Sequence, residues 1–200
     1  MSLTVWTNHV FRPEAQALFE QGLKAMGHRL VVSPKASPMV LAAGSNDPVL
    51  EEADVAFGQP DIVQSMGCPK LRFIELSSAG YTRYDREDFR GAMKQRGVPV
   101  TNASQVFADP CAQHVLAQML ALERNLPAQL RNQDGPREWR YLDDRFSAST
   151  LTHRHVLLLG YGAIGRRMAE LRKPFGTTVT AYRRTPRGDD VFGYLLLPPN

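Results

Sequence analysis

Three glycines have the clearest chemical potential in this chain. They stand as Gly160-x-Gly162-x-x-Gly165, directly after the apolar run Val156-Leu157-Leu158-Leu159 and before a helix-forming segment, Arg166 to Leu171. Strand, glycine turn and helix in that order make a mouth for a pyrophosphate. Gly160 allows the tight turn, Gly162 lets the backbone approach the phosphates, and Gly165 lets helix and strand pack closely. The helix start adds unpaired N–H groups and the positive end of its dipole. Glycines recur in many turns, so the alternative is a purely structural turn.

Pro174-Phe175-Gly176 ends the helix, and Thr177 to Tyr182 reads as a second buried strand rich in β-branched residues. Arg183-Arg184 follow where a binder of unphosphorylated NAD places an Asp or Glu. A carboxylate there would hold the ribose 2′-hydroxyl, whereas a guanidinium pairs with a 2′-phosphate through parallel hydrogen bonds. The expected cofactor is therefore NADP(H), with NAD(H) as the alternative. The other reading of the two arginines is a solvated strand end.

Ser77-Ser78-Ala79-Gly80 lies just past another apolar run, Leu71 to Leu76. The carboxyl ends of strands are where open α/β sheets bind ligands, and small residues there expose N–H groups that suit an anion. Taken alone, such a segment is more often only a turn.

The elements that must position these residues alternate between strand and helix, the pattern of βα units on a parallel sheet. Strands are expected at Leu3–Trp6, Arg29–Ser33, Asp54–Gly58, Leu71–Leu76 and Val98–Thr101. Helices are expected at Pro13–Met26, Asp61–Met66 and Arg86–Arg96, with a long one starting near Ala108 and running to Pro127. Ser33–Asp47 reads as a loop. The end of the chain, Asp189 to Pro199, reads as a third strand or an abnormal tail.

Composition is that of an ordinary globular protein, with no apolar stretch near the ~20 residues of a membrane span. No basic leader with an apolar run opens the chain, and Cys68 and Cys111 lack metal-ligand spacing, so a reducing cytoplasm and free buried thiols are expected. The net charge of +4 is too small and too mixed with acids to indicate nucleic acid.

Leu71–Ile74 into Ser77–Gly80, Val98–Asn102, Ala112-Gln113-His114, Trp139, GYGAIG and Phe175-Gly176 stand in an order that resembles the D-isomer-specific 2-hydroxyacid dehydrogenase family. The resemblance implies an α/β protein with a flavodoxin-like substrate-side domain over residues 1–103. A partial Rossmann NAD(P)-binding domain would follow over 104–200, incomplete at its C-terminus. It implies hydride transfer between nicotinamide and a small 2-keto or 2-hydroxy acid, and a homodimer. By the same analogy Ser78, Ala79 and Gly80 hold the substrate carboxylate. Gly160, Tyr161, Gly162, Ala163, Ile164 and Gly165 line the pyrophosphate, beside Arg183 and Arg184. Gln113 departs from the family's usual Glu. The family's catalytic Arg, Glu and His lie well downstream of the glycine motif, and the sequence given stops at Asn200, so no catalytic residue is assigned.

None of the five histidines has the context of a catalytic acid/base. His114 is expected to pack on its apolar helix, and His153 and His155 to lie on the surface, a metal pair being the rival. Three rival readings stand. One is a catalytically inactive NADP-binding protein or partner subunit. Another is a methyltransferase using S-adenosylmethionine, against which Arg183-Arg184 speak. The third is a chain that does not fold stably alone, because a sheet edge and an apolar face stay uncovered.

Overall fold

Five short apolar strands separated by helical stretches build the first of two sheets. The structure, a computed structural model, describes residues 1–39, 44–183 and 194–197. The chain divides into two compact units, Met1–Ser104 and Gln105–Asn200.

In the first unit, β1 (Thr4–His9), β2 (Arg29–Ser37), β3 (Val55–Gly58), β4 (Phe73–Leu76) and β5 (Val100–Asn102) form one sheet in the order β2-β1-β3-β4-β5. Every pairing is parallel, which is the doubly wound, flavodoxin-like order. α1 (Pro13–Ala25), α2 (Ile62–Gly67) and α3 (Glu87–Arg96) provide crossovers. Pro at its first turn starts α1 and the Asp61 side chain caps α2 by accepting from the Gln64 N–H at 2.8 Å. Arg96, in the last turn of α3, donates to the carbonyls of Ser65, Met66, Cys68 and Leu71. A cation on carbonyls at the end of α2 satisfies groups that the helix leaves bare.

β2 runs four residues further than expected, to Ser37, through Pro34. β2 is an edge strand, where a residue without an N–H is tolerated. The register against β1 shifts between Thr7 and His9, and the Lys35 N–H turns to the Ser33 hydroxyl at 3.0 Å.

The core of this unit gathers Trp6, Leu50, Leu71, Ile74, Leu76 and Phe89, all buried. Side chains of this size contribute about 1.5–3 kcal/mol each on burial. One charge is buried among them. Asp47 accepts from the Trp6 indole N–H at 2.9 Å and from the Val49 N–H at 3.0 Å. Burial alone would raise its pKa. Hydrogen bonds from Ser33, Trp6 and Val49, with the Lys35 charge, outweigh that and hold it below the usual carboxylate value. Burial pushes the Tyr84 phenol well above its usual value, and its hydroxyl donates to the Pro60 carbonyl at 2.8 Å. The Cys68 thiol is buried and also raised, by burial first; Cys111 is half-buried rather than fully buried.

In the second unit, α4 (Ala108–Glu123) is followed by α5 (Leu126–Asp134) and α6 (Tyr141–Ser147). The single long helix expected to reach Pro127 therefore stops at Glu123 and restarts, with Asn125 in a left-handed conformation between the two. β6 (His155–Leu159) and β7 (Thr178–Tyr182) pair in parallel, with α7 (Ala163–Leu171) as the crossover. This βαβ unit is the Rossmann element. β8 (Tyr194–Leu197) lies on the outer edge of β7 but runs antiparallel. A parallel return needs a crossover of a dozen or more residues, usually a helix. Eleven residues lie between Tyr182 and Tyr194, short of that length.

α7 packs on α4, where Arg167 Nε reaches Asp109 Oδ1 at 2.6 Å. One face of the sheet stays open. β6 is not a fully buried strand: Leu157 and Leu159 are 59% and 83% exposed. No helix among the described residues is long and apolar enough to cross a membrane.

Candidate functional site

Two turns past strand ends present unbonded N–H groups among the described residues. In the second unit, β6 leads into Gly160, whose φ of +116° is open to glycine and costly for other residues. Its N–H donates to the Tyr182 carbonyl at 2.9 Å, which fastens the turn to β7. Gly162 is the N-cap of α7 and gives no side-chain cap. Among the described residues, the N–H groups of Gly162, Ala163, Ile164 and Gly165 make no hydrogen bond, and the first helical bond is Arg166 N–H to the Gly162 carbonyl at 3.0 Å. Four donors and the positive dipole end thus face one spot. A Cβ on Gly162 would meet nothing within 4 Å, so the space before the helix is open. A Cβ on Gly165 would stand 2.2 Å from the Gly160 carbonyl oxygen. Gly165 is needed for turn and helix to meet, and Gly162 leaves a cradle that a side chain would fill.

Tyr161, Ala163 and Gly165 are half-buried, and Ile164 is exposed. Arg183 immediately follows β7, is half-buried and is engaged with the rest of the chain. Arg184 and the stretch Asp189–Gly193 lie outside the described residues, as do Pro198 and Pro199.

In the first unit, Ser77–Gly80 follows β4 as expected. Ser78 is buried, while Ala79 and Gly80 are exposed. All three carbonyls of Ser78–Gly80 are tied back. Ser78 accepts from the Ala103 N–H at 3.3 Å, Ala79 from Asn102 Nδ2 at 3.0 Å, and Gly80 from the Ser78 hydroxyl at 2.7 Å. The N–H groups of Ser78, Ala79 and Gly80 make no hydrogen bond among the described residues. The turn therefore presents donors, which suits an anion.

Two residues that hold this turn were not legible in the sequence. Gln59 Nε2 donates to the Ser78 hydroxyl at 3.0 Å. Asn8 fixes Gln59 in turn, accepting from its N–H at 2.8 Å and donating to its carbonyl at 2.9 Å. The one available signal was the place of Gln59, immediately after the strand-ending Gly58.

No histidine hydrogen-bonds either turn among the described residues, although His9 lines a small pocket with Gln59 and Ser77. His114 is exposed and paired with Gln118 at 3.1 Å rather than packed, because its side of α4 faces outward. His153 and His155 are exposed, and His155 bonds the Thr180 hydroxyl at 2.8 Å.

Residues 116–195 match the family model described as D-isomer specific 2-hydroxyacid dehydrogenase, NAD binding domain. The chain is 25% identical over 126 residues to a glyoxylate/hydroxypyruvate reductase of Arabidopsis thaliana, covering 63% of this chain and 38% of the relative. It is 32% identical over 114 residues to D-3-phosphoglycerate dehydrogenase of Mycobacterium tuberculosis, covering 57% of this chain and 20% of the relative. The chain thus spans well under half the length of these two relatives. Among solved structures, a phosphoglycerate oxidoreductase from Rhizobium etli superposes with a TM-score of 0.66 at 22% identity, over 92% of this chain and 57% of that one. D-lactate dehydrogenase from Aquifex aeolicus, solved with NAD and lactic acid, gives a TM-score of 0.66 at 20% identity, over 93% and 53%. These two likenesses concern the fold. The family likeness is carried by residues 116–195, which are similar to the NAD binding domain of the D-isomer specific 2-hydroxyacid dehydrogenases.

Proposed function

We propose that this chain belongs to an NAD(P)-dependent oxidoreductase acting on a small 2-keto or 2-hydroxy acid, with NADPH preferred over NADH. Residues 1–103 form its substrate-side domain and 104–200 its cofactor domain. The observation that carries the reading is the start of α7. Four unbonded N–H groups face an open space beside Gly162, and that fits a pyrophosphate better than any side chain the turn itself offers.

A bound nicotinamide dinucleotide would supply the hydride donor or acceptor. The rest is positioning. The N–H groups of Gly162–Gly165 hold the pyrophosphate, and Arg183, with Arg184 beside it in sequence, takes the ribose 2′-phosphate. In the other unit the N–H groups of Ser78, Ala79 and Gly80 hold the substrate carboxylate, with Gln59 and Asn102 fixing the turn. The relatives act on glyoxylate, hydroxypyruvate and 3-phosphoglycerate by name, all 2-keto or 2-hydroxy acids or close to them. The protein works as a homodimer in the cytoplasm, where Cys68 and Cys111, neither in a disulfide, stay reduced.

Calorimetric titration of the full chain with NADPH and NADH tests this. NADPH binding about tenfold or more tighter than NADH is expected, the effect of one charge-assisted contact. Absence of heat from both coenzymes, with the chain folded, overturns the reading.

A further inference from the structure

A groove of about 470 Å³ lies in the first unit, between α3 and the edge strand β5. Its inner wall is apolar and aromatic: Leu76, Tyr84, Phe89, Met93 and Val98 line it and are all buried. The Tyr84 and Phe89 rings lie 5.5 Å apart at 57°. The Tyr84 hydroxyl is already committed to Pro60, so the wall offers it no donor. The volume falls in the range of sites for small organic ligands, which are mostly apolar with a few polar groups.

The rim decides the charge of an occupant. Arg90 is neutralised by Asp85 at 2.8 Å. Lys94 is exposed and makes no ion pair among the described residues. One uncompensated cation stands over an apolar slot, with exposed Tyr81 on the same rim. A neutral hydrophobe would leave Lys94 unanswered, and a dianion would bring a charge the rim does not balance. We propose that this groove is a small-molecule site for an aromatic monocarboxylate, its rings against Phe89, Met93 and Tyr84 and its carboxylate at Lys94.

The site does not depend on the cofactor reading. It does touch the turn after β4, because Asn102 lines the groove and its Nδ2 holds the Ala79 carbonyl at 3.0 Å. An occupant therefore contacts the side chain that fixes that turn.

The test is a nitrogen-15 NMR titration of the full chain with 2-naphthoate, and with 2-naphthylmethanol as the uncharged counterpart. Saturable shifts confined to residues 76–102, including the Ala79 amide, are expected, with naphthoate the tighter ligand. Lys94→Glu, on an exposed helix position, should weaken naphthoate by about fivefold or more while Lys94→Arg retains it. No saturation at millimolar naphthoate, shifts centred on another surface, or unchanged affinity in Lys94→Glu would each overturn the proposal.

Discussion

The Gly160 carbonyl oxygen occupies the space in which a Gly165 side chain would begin, 2.2 Å from its Cβ position. Both atoms are fixed: the Gly160 N–H is held by Tyr182, and Gly165 lies in the first turn of α7. Gly165→Ala must therefore push helix from strand, at a cost of about 1–3 kcal/mol. Gly162→Ala meets open space at a φ of −84° and should stay within about 0.5 kcal/mol of the parent. Its coenzyme affinity should still fall, because the added methyl enters the cradle. Chemical denaturation and coenzyme titration of the two variants separate these effects; a destabilised Gly162→Ala with intact binding would contradict the assignment.

Arg183 is expected to discriminate between the two coenzymes. Arg183→Ala should weaken NADPH by about ten- to a hundredfold and leave NADH within about twofold, since a charge-assisted hydrogen bond contributes about 1.5–3 kcal/mol. Equal losses for both coenzymes would place Arg183 outside the 2′-phosphate site.

Asp47 makes the first unit sensitive to acid. Its folded pKa is depressed, so its contribution is present above the unfolded value of about 3.9 and is lost as pH falls through the lower folded value. Asp47→Asn should be less stable by about 1–3 kcal/mol at pH 7, and the difference should shrink below about pH 4. Urea denaturation at pH 7 and pH 3 checks this. A difference that does not depend on pH would mean that shape, not charge, is what matters at this position.

Helices α5 and α6 bury no residue, and Trp139 between them is 91% exposed, with Leu142 and Phe146 also exposed. Apolar surface of this kind marks an interface. Trp139→Asp is expected to shift the proposed homodimer to monomer in sedimentation velocity at micromolar concentration, with the circular dichroism spectrum unchanged. A parent chain that sediments as a monomer throughout that range would refute the dimer.

How much of this was legible in the sequence followed from how local each signal is. The β1–β5 alternation and the Gly160–Gly165 turn are written in adjacent residues, and they stand where periodicity and spacing put them. The extension of β2 was hidden because Pro34 reads as a breaker unless the strand is known to lie at a sheet edge. α5 and α6 escaped notice because neither buries a face, so no apolar stripe marks them. Asn8 and Gln59 are 51 positions apart, and nothing short of the fold shows that one holds the other in place for Ser78. The direction of β8 was likewise a matter of linker length rather than strand composition.

Pro34 has a consequence beyond the path of β2. A residue with no N–H, followed by Lys35, stands on the outermost strand of the five-stranded sheet. A foreign strand aligning there would miss a ladder bond and meet a cation. The molecule thus carries its own guard against end-to-end growth of that sheet, and replacing Pro34 with a β-branched residue would remove it.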